Sequence, residues 1–302
     1  MNLIDLQIQT TASDGKHTPA ECVAMAKQNG VHTIAITDHD TVAGVAEAMA
    51  AGQELGVRVI PGIEMSVEDH GLHLLGYGID TGYERLGSAL KRFEEGRIAA
   101  AKDMVWNLQQ AGFVVEWEDV LGQATGAVIA RPHIAAAVLK RPENREKLGG
   151  ITRKGDFIGA FLANDNPAYV HRRTISAADA IVLLHEAGGV SIWSHPPIPD
   201  FVGNCAGMGD FLKELVGYGL EGLELLSPSH TEADVACLEK LAGEHGLLVT
   251  AGSDFHEAYD PTDVPLPRPA TTIGDYPTYG RSLEGILERL DRAIIEPRKV
   301  AS

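Results

Sequence analysis

The sequence predicts an α/β fold: a mainly parallel sheet or barrel interrupted by a helical insertion. Three observations carry this expectation. Short apolar runs alternate with helical patterns through the first eighty residues and again after about residue 166, the rhythm of βαβ units. Between these stretches, residues 83 to 165 carry helical patterns only. Nearly every apolar run also ends in His, Asp or Glu, and parallel strands of a barrel bring their ends to one face. The expected division is a barrel from 1–82 and 166–302, with an insertion at 83–165.

The opening run sets apolar Leu3, Leu6 and Ile8 beside polar alternates and stops at Ser13-Asp14-Gly15, a turn signal. Gln7 and Gln9 are two apart and so share one side of that strand. Thr18-Pro19-Ala20-Glu21 then supplies an N-cap, a proline at the first helical position and a capping-box glutamate, and Gly30 closes the helix. "HTIAITDHD" reads as a buried strand with a polar tip. A helix over about 42–55 follows, and "VRVIPGIEMSV" and "HLLGYGID" continue as strands. "ERLGSALKRFEEGRIAAAKDMVWNLQQAG" is one long helical pattern, with shorter ones near 132–140 and 155–162. The alternation resumes with "DAIVLLHEAGG", "VSIWSHP", "GDFLKELVGYG", "LEGLELLSPSH", "ADVACLEKLAGEHG" and "LLVTAGSDFH". Residues 258–280 read as loop, and "LEGILERLDRAI" closes the chain as a helix.

The chain has 302 residues, 44% of them hydrophobic and 22% charged, ample for a large core without staples. Its formal net charge of -17 opposes binding to the phosphate backbone of long nucleic acid. Cys22, Cys205 and Cys237 are scattered and odd in number, which argues against a disulfide framework or a cysteine zinc site and fits a reducing cytoplasm. No secretory signal is visible, and no apolar stretch approaches the roughly 20 residues that span a bilayer.

The chemistry is expected at the strand ends. The first carries Gln7, Gln9 and, just beyond, Asp14. The second ends in Thr37-Asp38-His39-Asp40, the third carries Glu64 and the fourth His73. Later ends are Ser194-His195-Pro196, Ser229-His230 and Ser253-Asp254-Phe255-His256. Taken singly, a His at a strand end is an ordinary hydrogen-bonding residue, and Asp14, Asp38 and Asp40 suit turns or caps. Glu64 is odd on a strand, where Glu is depleted and costly to bury without a partner. Together, converging imidazoles and carboxylates without cysteine suit manganese, zinc or iron rather than magnesium alone.

"DLQIQTTASDG", "ITDHDT", "PGIEMS", "HLLGYGID", "SHP", "SPSH" and "GSDFH" resemble the ordered motifs of the PHP (polymerase and histidinol phosphatase) superfamily of metal-dependent phosphoesterases. The resemblance covers nearly the whole chain, including Arg131-Pro132-His133 in the insertion, and is strongest to the small stand-alone members. It implies a distorted (β/α)7 barrel holding two or three divalent ions, with no organic cofactor. One ion site would combine Gln7, Gln9, Glu64 and Asp254, a second Glu64, His73 and His195, and a third Asp14, His39 and His256. The family's opening motif is His-x-His, so Gln7 and Gln9 depart from it. A carboxamide is a weaker ligand than imidazole for a transition metal.

The implied activity is hydrolysis of a phosphomonoester of a small nucleotide, most specifically a nucleoside 3′,5′-bisphosphate to the 5′-monophosphate. Alternatives are 5′-to-3′ exonuclease action on short 5′-phosphorylated RNA, or a nucleotide- or metal-binding protein whose catalysis is impaired by Gln7 and Gln9. His230, with His195 second, is the candidate for proton transfer to the leaving group. Arg131, His133 and Arg172, scarce basic residues in an acidic chain, are candidates for substrate phosphate, with His171 and Arg173 behind them. His17, His32, His70, His185 and His245 read as surface or helix-end residues, and Trp106, Trp117 and Trp193 as core.

Overall fold

The computed structural model describes residues 2–68, 71–123, 129–163, 166–170, 174–196, 201–257 and 270–296. It divides into two compact units, one of Met1–Ser88 with Ile175–Ser302 and one of Ala89–Thr174.

The first unit is a seven-stranded sheet in which spatial order follows chain order. The strands are β1 (Ile4–Asp5), β2 (Thr33–Ile36), β3 (Arg58–Ser66), β4 (His73–Tyr77), β5 (Val190–Trp193), β6 (Gly222–Leu226) and β7 (Leu248–Ala251). Helix α1 (Pro19–Gln28) follows β1, and α2 (Val45–Leu55) follows β2. Thr18 caps α1 with the reciprocal Glu21 bond that the sequence announces. Val23, Ala26, Ala48 and Val57 pack with Ile8, Ile34, Ile36 and Phe255 in one buried cluster. Each valine, isoleucine and phenylalanine side chain there contributes about 1.5–3 kcal/mol by leaving water.

Neighbouring strands run parallel except at β4, which is antiparallel to both β3 and β5. This corrects the expectation that chemistry sits only at the C-terminal ends of strands. Ser66 pairs with His73 across the β3–β4 hairpin, so His73 reaches the common mouth from the start of its strand. Beyond β1 the chain stays extended and closes the sheet. Leu6 N–H donates to Ala251 O at 3.0 Å, Gln9 N–H donates to Phe255 O at 2.9 Å, and Ile8 bridges Phe255. Gly252 permits this approach: a Cβ there would stand 2.6 Å from both Cβ and N of Gln7. Leu6 to Thr10 are buried on both faces, whereas Leu3, apolar like Leu6 and Ile8, is 59% exposed.

Helices α3 (Glu84–Gln110), α4 (Trp117–Leu121), α5 (Arg131–Lys140), α6 (Arg145–Leu148) and α7 (Lys154–Phe157) follow β4. The second unit has its own core, in which Phe113 meets Phe157 and Phe161 edge-on at 5.5 and 4.9 Å between ring centroids. Buried Asn144 binds both backbone groups of Val114 and the carbonyl of Val138, satisfying a polar side chain inside that core. Trp106 does not join it. It is 60% exposed on α3, against the sequence expectation, while Trp193 in the barrel is fully buried.

The remaining helices are α8 (Ala177–Glu186), α9 (Cys205–Gly217), α10 (Glu232–His245) and α11 (Ile286–Ile295). Cys205 and Cys237 form a disulfide between α9 and α10, with Cα atoms 6.0 Å apart, and Cys22 is buried and free. The sequence argument against a disulfide fails here because the odd count hides a pair brought together by two helices flanking β6. Among the described residues, no helix is long and apolar enough to cross a membrane.

Candidate metal centre

The centre is built on the turn after β1. Asp38, buried at the end of β2, accepts bonds from Thr10 N at 2.7 Å, Thr10 Oγ1 at 2.8 Å and Ser13 Oγ at 2.7 Å. These fix the turn that carries Asp14. Burial raises the Asp38 carboxyl, and the three donors work against that rise. The sequence reading offered Asp38 as a turn or cap residue, and its partners make it a scaffold for the ligand-bearing loop.

Glu64 is the hub. Its carboxylate is fully buried, yet both oxygens are crowded with partners. Oε1 lies 3.0 Å from His73 Nδ1, 2.9 Å from His195 Nε2 and 2.9 Å from Ser194 Oγ. Oε2 lies 2.6 Å from Gln9 Nε2, 3.2 Å from Gln7 Nε2 and 3.7 Å from His39 Nε2. Burial works to raise the Glu64 carboxyl, but His39, His195 and His73 outweigh it and hold the group well below the usual carboxylate range. The same bond acts on the partner: burial, the largest single influence, lowers His195, but its bond and charge contact with Glu64, helped by Asp254 and Glu224, together outweigh it and lift the imidazole to about 10.

His73 Nδ1 and His195 Nε2 stand 3.3 Å apart. With Glu64 Oε1 they make a triangle of nitrogen and oxygen donors with edges of 2.9 to 3.3 Å. Those are the edges that a divalent ion with bonds of about 2.0–2.2 Å spans. A second group, Asp14, His39 and His256, also places three donor atoms within 4.8 Å of one another. His256 Nε2 is 3.7 Å from Asp14 Oδ1, and its Nδ1 is 3.8 Å from Asp254 Oδ1. Three buried atoms here have no hydrogen-bond partner among the described residues: Gln7 Oε1, His39 Nδ1 and Asp254 Oδ1. The imidazole and carboxylate donors of both groups, with unpaired His39 Nδ1 and Asp254 Oδ1 beside them, fit a divalent transition metal.

The backbone is strained at this point of the fold. Asp40, His195 and Asp254 have φ of 53°, 30° and 49°, in the left-handed region that non-glycine residues seldom adopt. Asp40 N–H donates to Glu64 O at 2.8 Å, and His195 N–H donates to Glu224 Oε2 at 2.9 Å. Glu224 was missed from sequence, although Glu in the apolar run "LELL" is the same signal that singled out Glu64. Burial pushes its carboxyl well above the ordinary range, and its Oε1 has no hydrogen-bond partner among the described residues. Ser194, which bridges Gln7 and Glu64, was also missed.

His230 is buried. Its Nδ1 lies 3.0 Å from Leu225 O, so the ring donates there and Nε2, an acceptor, has no hydrogen-bond partner among the described residues. Burial lowers it to about 4, keeping the ring neutral. Arg131 is exposed in the first turn of α5, with Nη1 donating to Leu162 O at 3.3 Å and its guanidinium 5.6 Å from the Tyr169 ring. His133 Nδ1 accepts from Ala130 N at 3.1 Å, a helix-capping bond. Arg131 and His133 belong to the second unit, and the candidate ligand residues to the first. Arg172, His171, Arg173 and His70 lie outside the described residues. His32 is exposed, and His17, His185 and His245 are half-buried. His185 pairs with Glu221 at 3.0 Å.

Comparison with known proteins agrees with this geometry. Residues 5–140 match the PHP domain model. The chain is 33% identical to the phosphoribosyl 1,2-cyclic phosphate 1,2-diphosphodiesterase of Eggerthella lenta, an alignment covering 83% of this chain and 93% of that one. It is 31% identical to the 3′,5′-nucleoside bisphosphate phosphatase of Chromobacterium violaceum, over 84% and 87% of the two chains. It is 29% identical to a 5′-3′ exoribonuclease of Haemophilus influenzae, over 83% and 89%. Among solved structures, an amidohydrolase from Chromobacterium violaceum superposes with a TM-score of 0.77 at 27% identity, over 98% of each chain. With these motifs, this barrel and these relatives, the chain belongs to the PHP family of metal-dependent phosphoesterases.

Proposed function

We propose that the protein hydrolyses phosphomonoesters of small nucleotides, with a nucleoside 3′,5′-bisphosphate as substrate and the 5′-monophosphate and phosphate as products. The observation that carries this reading is the Glu64 hub, where imidazoles and carboxylates from distant strands meet within bonding reach of one another. His73, His195 and Glu64 would hold one divalent ion, and Asp14, His39 and His256 a second, with manganese, zinc or iron suited to such donors. Bound there, the ions would lower the pKa of water toward neutrality and offset charge on the phosphoryl oxygens.

The chain's own residues supply the rest. Ser194, Gln7 and Gln9 hydrogen-bond to Glu64 and orient its carboxylate. Neutral His230, with Nδ1 committed to Leu225 O, offers Nε2 as an acceptor for a proton from water or substrate. The same reading gives Arg131, His133 and Arg172 the recognition of a second phosphate. The net charge of -17 favours a small or short substrate over long nucleic acid.

The test is phosphate release from adenosine 3′,5′-bisphosphate by protein loaded with Mn²⁺, Zn²⁺ or Fe²⁺. Turnover with that substrate is the expected result, and no phosphate from any phosphomonoester overturns the reading. The exoribonuclease relative favours a second reading, which the same preparation tests. A ladder of mononucleotides from a 5′-phosphorylated oligoribonucleotide would make RNA the substrate.

A further inference from the structure

Gln7 and Gln9 turn their nitrogen ends, not their oxygens, toward Glu64. Gln9 Nε2 is 2.6 Å from Glu64 Oε2, and Gln7 Nε2 is 3.2 Å from the same atom. Gln7 Nε2 also lies 3.0 Å from Ser194 Oγ. Ser194 has one hydroxyl proton, and it is directed to Glu64 Oε1 at 2.9 Å. Ser194 therefore accepts from Gln7, which fixes the Gln7 nitrogen in place. Turned over, Gln9 would set its oxygen against Glu64 Oε2 with no proton between two acceptors. Ser13 Oγ approaches the Gln9 oxygen instead, at 3.4 Å.

An amide nitrogen has no lone pair for a cation, and its N–H groups carry partial positive charge. Two of them on one carboxylate oxygen do what a cation does there: they satisfy a buried anion. We infer that Gln7 and Gln9 close the Oε2 side of Glu64 to cations. The chain then binds two divalent ions, one at Glu64 Oε1 with His73 and His195 and one at Asp14, His39 and His256. It takes none at the amide pair. This inference deepens the proposed function and rests on its metal-dependent reading. For an ion to bind at Oε2, both amides must rotate and the carboxylate must give up two donors at once.

The experiment counts ions and watches the amides. Protein stripped by chelation is reloaded with Zn²⁺ and analysed for metal, beside a Gln7→His/Gln9→His variant. Two equivalents are expected in the native chain and three in the variant. In the native protein, the side-chain amide resonances of Gln7 and Gln9, assigned by their loss in single Gln→His variants, should persist with little shift on Zn²⁺ or Ca²⁺ loading. Three equivalents in the native chain overturn the inference, as does displacement of both amide resonances by either ion, the sign of carbonyl ligation. A folded double variant that still holds two equivalents also overturns it. If the variant does not fold, the native count and the resonances decide alone. No uptake at all by native protein would instead remove the metal-dependent reading, and the inference with it.

Discussion

Replacing Glu64 by Gln in the metal-free protein isolates the coupling at the centre of the barrel. The side chain keeps its shape, but one oxygen becomes an NH₂ group that cannot accept from Gln7, Gln9 or the histidines. His195 is lifted from its ordinary 6.5 to about 10, against the effect of burial and chiefly by Glu64. A shift of that size corresponds to about 5 kcal/mol of coupling. Because the folded value is raised, the associated stability is fully present below pH 6.5 and is lost as pH climbs through about 10. Urea unfolding of the native and Glu64→Gln proteins should therefore differ by about 5 kcal/mol at pH 6, narrowing by about 1.4 kcal/mol for each pH unit above 6.5. In the same samples, ¹⁵N-detected histidine titration should find His195 still protonated at pH 8 in the native chain and titrating at or below 6.5 in the variant. A difference under about 2 kcal/mol at pH 6, or one that does not shrink as pH rises, refutes the assignment of Glu64 as the source of the shift.

Removing the disulfide with Cys205→Ser/Cys237→Ser opens a link across a sequence separation of 32 residues, and should lower stability by about 3–4 kcal/mol. An unchanged urea midpoint would mean that the pair does not constrain the chain. Gly252→Ala forces a Cβ to 2.6 Å from Gln7 and should cost about 1–3 kcal/mol by chemical denaturation as the β1–β7 seam yields. His230→Ala should lower kcat by about 10²-fold while leaving metal content unchanged, because His230 Nε2 has no hydrogen-bond partner among the described residues and lies outside both candidate ion groups. Equal kcat removes His230 from proton transfer.

The barrel was legible because its physics is local. Thr18-Pro19-Ala20-Glu21 starts α1 where its capping chemistry says, and the buried runs around Ile34 and Leu223 carry the strand signal unaided. The residues that gather at Glu64 were legible because His and Glu are conspicuous at the ends of apolar runs. The reversal of β4 was not: "HLLGYGID" gives its apolar content but no direction, which the hairpin from Ser66 to His73 sets in three dimensions. Glu224 and Ser194 escaped because their role lies in whom they touch, His195 and Gln7, across long sequence separations. The exposure of Trp106 and the meeting of Cys205 with Cys237 depend on which helix faces pack, a choice that composition does not encode.

The seam between the first strand and the segment after the last has a consequence for biosynthesis. Gln7 and Gln9 are made first, and the Phe255 backbone they pair against is made some 250 residues later. Until that segment emerges from the ribosome, the amides and Glu64 have no closed wall around them, and Asp254 and His256 do not yet exist. Such long-range pairing folds slowly, and a nascent chain halted before residue 256 lacks the third member of the Asp14, His39 and His256 group. Asp14 and His39 thus wait for a partner that is made more than two hundred residues after them.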